Sequence, residues 1–148
     1  MSDRSAFGSW PWHAVSLVAL GPLVAVGIVG CSRTTGPERF DYSGEVSFGG
    51  KAVAVGYLSF EPDDAAGNSG PGAMAEIVGG RYQTEPGRGP VGGPHRVLIV
   101  GFDGKSPDGL GDGRPLFPEV VCEVDLPRQD GSQSFSIAGE KPYAVTAR

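Results

Sequence analysis

Two histidines, His13 and His95, and two cysteines, Cys31 and Cys122, are all the imidazole and thiol chemistry in this chain. A histidine-rich zinc site needs more imidazoles than that, and no H-E-x-x-H pair is present. His95 beside a serine and an acid would make a hydrolytic triad, but no G-x-S-x-G elbow accompanies it. A small His95-dependent hydrolase is therefore the least favoured function. A half-exposed strand residue is the expectation for His95, and no catalytic residue is assigned. Asp103, Asp108, Asp112 and Glu119 offer hard oxygen ligands. Asp108, Asp112, Gly113 and Glu119 fall on the first, fifth, sixth and twelfth places of a calcium loop. Leu110 stands where a third-place oxygen ligand belongs, and Pro107, Pro115 and Pro118 argue against flanking helices. A weak calcium site is the candidate there, beside the simpler reading of a solvated turn-rich loop that uses Asp and Gly for backbone reasons. Gly87-x-Gly89-x-x-Gly92 matches a dinucleotide fingerprint by letter. It fails by context, because Pro90 and Pro94 interrupt it and a strand follows. Tyr57, Tyr82, Phe102 and Phe117 could form a stacking platform for sugar rings, though core and strand positions explain them more simply. No cofactor is expected.

The 148 residues that must position these groups suffice for one domain plus a leader. Net charge is −5, from 12 basic and 17 acidic residues, which argues against a nucleic-acid partner. With 25 glycines and 13 prolines the chain suits short strands joined by turns. Residues 14–30, AVSLVALGPLVAVGIVG, are apolar and carry no charge. They are shorter than the roughly 20 residues of a usual membrane span. Arg4 and the amino terminus precede them, which is the layout of a signal peptide.

Ile28-Val29-Gly30-Cys31 resembles the lipobox of bacterial lipoproteins. That resemblance implies removal of residues 1–30 and lipid attachment to Cys31 through a thioether to diacylglycerol. A further acyl chain, such as palmitate, on the freed amine would strengthen the hold. Two other readings of the run stay open, an uncleaved helical anchor and an ordinary cleaved signal. Ser32 after the cysteine favours the outer membrane where bacteria sort by that residue. Residues 31–43 are polar, carry Gly36-Pro37, and read as a flexible tether.

From Gly44 onward, short apolar segments alternate with turns. GEVSF, VAVGYLSFE, AMAEIV, RYQTE, HRVLIVGF, EVVCEVDL and QSFSIAG each read as strands, and KPYAVTAR is a possible edge strand. Gly49-Gly50 and Gly79-Gly80 are hairpin signals. Val120, Cys122, Val124 and Leu126 share one face, as do Phe135 and Ile137. Cys122 on such a face is expected to be a buried structural thiol. The expected fold class is all-β, an antiparallel two-sheet β-sandwich of seven to eight short strands over residues 44–148. The immunoglobulin Cys…Trp…Cys hallmark is absent, because Trp10 and Trp12 both lie in the leader.

Gly44, Val46, Gly50, Val53, Gly56, Leu58, Phe60 and Pro62 follow the spacing of an opening hairpin that resembles the carboxypeptidase regulatory-like, or transthyretin-like, domain family. Gly80, Tyr82, Gly93 and Val97 resemble that family's second signature. Ala52 and His95 depart from it, standing where Pro and Tyr are usual. The resemblance implies a transthyretin-like sandwich on a bacterial lipoprotein, without catalysis. The function expected is a cell-envelope lipoprotein presenting a binding or structural module to a protein or glycan partner. An accessory subunit that stabilises a secreted hydrolase is the alternative. Loops 62–72, 86–94 and 103–118 are the expected contact loops.

Overall fold

The structure is a computed structural model that describes residues 36–107, 109 and 111–148. The expected leader, Cys31, the start of the expected tether and Asp108 lie outside the described residues. Among the described residues no helix is long and apolar enough to cross a membrane.

The described chain is all-β apart from one 3₁₀ turn, Asp64–Ala66. Its strands are β1 (Tyr42–Phe48), β2 (Lys51–Ala52), β3 (Val55–Pro62), β4 (Ala73–Val78), β5 (Arg81–Gln83), β6 (Gly93–Phe102), β7 (Val120–Leu126), β8 (Gly131–Ser132), β9 (Phe135–Ile137) and β10 (Val145–Ala147). Both diglycine turns form as the sequence predicts. Gly49 and Gly50 have φ of 56° and 76°, and Gly79 and Gly80 have 59° and 80°. Two successive left-handed residues are the mark of a type I′ hairpin, whose twist matches that of its strands. β4 spans the AMAEIV segment and alternates buried with exposed from end to end.

The strands follow one hydrogen-bonded path, β10-β9-β1-β5-β4-β3-β6-β7, with β2 and β8 added beside β1. The end strands β10 and β7 lie close together, so the path nearly closes into a barrel. The expected division into two separate sheets is therefore not what the pairing describes. The reason lies in β1, which is paired along both edges. One edge holds β5 and then β2, and the other holds β8 and then β9. The β8 and β9 pairings are parallel, against the expected antiparallel pattern. The strand expected from Val53 begins instead at Val55, after a short β2 that precedes it. β2 stays with β1, while β3 joins β4 and β6.

The folded unit also begins before Gly44. Phe40 and Tyr42 are buried in the core, and β1 starts at Tyr42. Arg39 donates from Nε to the Gly89 carbonyl, and from Nη2 to those of Gly72 and Arg88, each at 2.7 Å. Residues 39–43 are thus built into the domain. The alternation of Phe40 and Tyr42 around Asp41 is a short strand signal, masked by the polar residues before it.

The core is a single cluster. At its centre Phe60, Tyr82 and Phe135 pack with ring centroids 6.0–6.4 Å apart. A second aromatic group, Phe48 with Phe117 at 5.0 Å and with Tyr143 at 6.1 Å, closes one end. Phe135 and Ile137 point inward as the sequence predicts. KPYAVTAR does contribute an edge strand, β10 against β9.

Candidate functional site

His95 sits on β6 between Pro62 of β3 and Val124 of β7, and it is fully buried. The half-exposed position expected for it is corrected by the alternation of β6, which turns His95, Val97 and Ile99 to the core. Nδ1 lies 2.8 Å from the Gly93 carbonyl. A carbonyl only accepts, so Nδ1 carries the proton. Asn68 Nδ2 approaches Nδ1 to 3.5 Å, but that is a contact between two donors. The Asn68 amide spends its hydrogens on the Pro94 carbonyl at 2.7 Å and the Gly92 carbonyl at 3.0 Å. His95 Nε2 is buried and has no partner among the described residues. Among the described residues, neither a serine nor a carboxylate comes into hydrogen-bond contact with this ring.

Of the residues considered for calcium, Asp103, Asp112 and Glu119 are described, and they belong to no group that could hold a metal ion. Asp103 Oδ1 accepts from the backbone of Lys105 at 3.0 Å and of Arg114 at 2.9 Å. These bonds hold the carboxyl below its ordinary range, with the nearby Lys105 and Arg114 charges adding to the effect. Asp103 acts as a staple across the neck of loop 103–114, where Asp103 N also donates to the Arg114 carbonyl. Asp112 contributes its backbone carbonyl to Gly104 N, and Glu119 is exposed just before β7. Among the described residues no group of three or more His, Cys, Asp or Glu side chains could hold a metal ion.

Cys122 faces the core from β7 but is only half-buried. Burial still pushes its thiol up to about 11. Gly87-x-Gly89-x-x-Gly92 is a loop leading straight into β6, as expected. Tyr82 and Phe117 are core residues, while Tyr57 and Phe102 stand at outward positions, so the four form no single platform.

The three expected contact loops divide between the two ends of the domain. Loops 62–72 and 86–94 share one end with the chain entry. There Arg39 and the Phe40 N–H, which donates to the Pro90 carbonyl, tie them down. Loop 103–118 lies at the other end, beside the Gly49-Gly50 turn. An open cleft of about 570 Å³ there is lined by Phe48, Lys51, Asp103, Lys105 and Leu116, among others.

The feature that sequence reasoning missed is on the outside of the sheet. β6 reads HRVLIVGF, apolar at inward and outward positions alike. Its outward residues are Leu98, Val100 and Phe102. Cross-strand register continues them sideways in three rows. Leu98 faces Ser59 of β3 and Val121 of β7, and Ser59 in turn faces Met74 of β4. Val100 faces Tyr57, which faces Glu76. Phe102 faces Val55, which faces Val78. Met74, Val78 and Val121 are 65%, 69% and 46% exposed. An antiparallel sheet with one wet face ordinarily alternates apolar in and polar out. This one keeps apolar side chains on the solvent face across four strands. The absence of polar alternation in HRVLIVGF was the available signal.

No protein-family model, curated protein or solved structure matches the chain.

Proposed function

We propose that this chain is a cell-envelope lipoprotein, held by lipid on Cys31, whose β domain is a non-catalytic binding or structural module for a protein or glycan partner outside the cytoplasm. The outer membrane is the favoured site, on the residue after the lipidated cysteine. The observation that carries the binding role is the apolar solvent face of β4-β3-β6-β7, with Met74 and Val78 about two-thirds exposed. Contiguous exposed apolar surface of this kind marks interaction sites. The burial of His95 supports the same reading, because its ring is closed off from any substrate in solvent. A transthyretin-like relationship remains our reading of the fold. The two diglycine hairpins and the inward Val46, Leu58 and Phe60 support it.

The anchor is tested by intact mass and the N-terminal peptide of the protein from the detergent phase of a membrane extract. A chain beginning at an acylated Cys31 is the expected result. A chain still carrying Met1 or Ser2 would contradict it.

A further inference from the structure

The outward rows of β4-β3-β6-β7 carry a charge pattern as well as an apolar one. Beyond the Leu98 row, Glu61 of β3 faces Arg96 of β6, and Arg96 faces Glu123 of β7. Asp125 follows on the same side of β7, and Glu76 stands between Met74 and Val78 on β4. All four carboxylates are exposed. One guanidinium, Arg96, stands among them; the nearby Arg81 lies 3.6 Å from Glu45 and is balanced by it. The face is therefore an apolar field with an acidic border.

We propose that this face docks a protein segment that is apolar at its centre and basic at its edges. The proposal rests on the reading of the domain as a binding module and names the chemistry of its partner. Charge complementarity selects the occupant. A basic border opposite Glu61, Glu76, Glu123 and Asp125 turns their repulsion into attraction, which speeds encounter and rejects acidic surfaces. An anionic lipid surface meets the same carboxylates unfavourably. A second copy of this chain brings an equally acidic border. Size fits an exchangeable contact. One row across four strands and two rows across three, about 7 Å apart with strands about 4.8 Å apart, make a field of roughly 340 Å². Counting both partners and their rims, that reaches about 1,000 Å², the low end for specific interfaces. Extended chains with alternating side chains suit a sheet surface, whose own side chains repeat in rows.

The test uses the full chain in phosphatidylcholine vesicles and a fluorescein-labelled peptide with an apolar centre of leucine and valine and two lysines at each end, with empty vesicles subtracted. Its twin with glutamate in place of every lysine is the charge control. Saturable binding of the lysine peptide is expected, with the glutamate peptide about tenfold weaker or worse. Met74→Ser, Val78→Thr and Val121→Thr together change exposed side chains and keep strand-compatible residues, so thermal unfolding should be unchanged while binding falls about tenfold. Glu76→Gln with Glu123→Gln should weaken binding severalfold. Asp64→Asn with Glu140→Gln removes the same charge elsewhere and should leave binding unchanged. The proposal is overturned if the face variants bind as the parent does, if both peptides bind alike, or if the chain self-associates through Val78 and Val121. Cys31 acylation is read by mass on the same sample. Loss of the peptide site would leave the anchored module standing, and an unacylated chain would remove the anchor without touching the face.

Discussion

Asn68 and His95 form a small polar inclusion at the end of the core where the chain enters. The amide of Asn68 serves the buried carbonyl of Gly92 and adds a second bond to that of Pro94, which also accepts from the Asp63 N–H at 3.0 Å. Asn68→Ala strips the buried Gly92 carbonyl of its donor, at a cost of about 1–3 kcal/mol, while the Pro94 carbonyl keeps the Asp63 N–H. A drop in unfolding free energy of at least about 1 kcal/mol in urea is expected. A change within about 0.5 kcal/mol would show that Asn68 is an ordinary surface residue. Cys122 and the core tyrosines set the alkaline limit. Burial raises the Cys122 thiol from 9.0 to about 11 and raises the Tyr42 and Tyr82 hydroxyls above 10.0. The unfolded chain therefore releases these protons first as pH rises. Their contribution is fully present below pH 9 and is lost as pH climbs toward 11 and beyond. The urea midpoint should be flat up to about pH 9 and fall above it, with Cys122→Ala reducing the early part of that fall. A midpoint unchanged between pH 8 and 11 would contradict the assigned burial. His13, Cys31 and Asp108 fall outside the described residues. Of the other chemistry-bearing residues, Asp103 reads in the sequence as a candidate calcium ligand, but its Oδ1 accepts from the backbone N–H groups of Lys105 and Arg114, a target that residue type alone does not reveal.

At the scale of elements, close backbone approaches and turn geometry govern tolerance. Gly56 lies in β3 where a side-chain carbon would overlap the Val100 carbonyl. Gly56→Ala forces β3 away from β6, and its cost should exceed the ~1–3 kcal/mol typical of overpacking, because backbone must move. Gly79 is the reverse case. Its φ is 59°, nothing crowds it, and asparagine suits the first place of a type I′ turn. Gly79→Asn should raise stability by roughly 0.4–1 kcal/mol by narrowing the unfolded ensemble. Thermal unfolding of the two variants in opposite directions is the check. These local features were the legible part of the fold. The diglycine turns, the alternation of β4 and the inward side of β9 are short-range patterns, and a sequence displays them directly. The pairing of β1 with β8 and β9 joins residues 42–48 to residues 131–137. No local pattern encodes such a partner, so the order of strands and the near closure of the path were not legible. The start of β3 at Val55 rather than Val53 was hidden for a related reason. Val53 is apolar and fully buried, so its type continues the strand pattern, while its N–H stays with the Val46 carbonyl of β1 and the pairing with β4 and β6 begins only at Val55.

For the whole molecule, the two ends and the side of the domain have different characters. The entry end is tied down by Arg39, and the opposite end carries the stapled loop 103–114 and its cleft. The outer side of β4-β3-β6-β7 is apolar and uncovered among the described residues. Sequence showed β6 to be apolar on both faces, and a central strand covered on both faces is the usual reason for that pattern. Only the assembled sheet reveals that one face is left open. The account's central claim is that this face is covered in the protein's native setting. Single cysteines at Val78 and Val121, in a Cys122→Ala background, allow that to be read by maleimide labelling, with Lys141→Cys as a loop reference. The measurement compares the purified full chain with the chain in the membranes from which it is prepared. The account predicts rapid labelling of all three positions in the purified chain, and protection of the Val78 and Val121 positions alone in the membranes. Equal labelling of the three positions in both settings would contradict it.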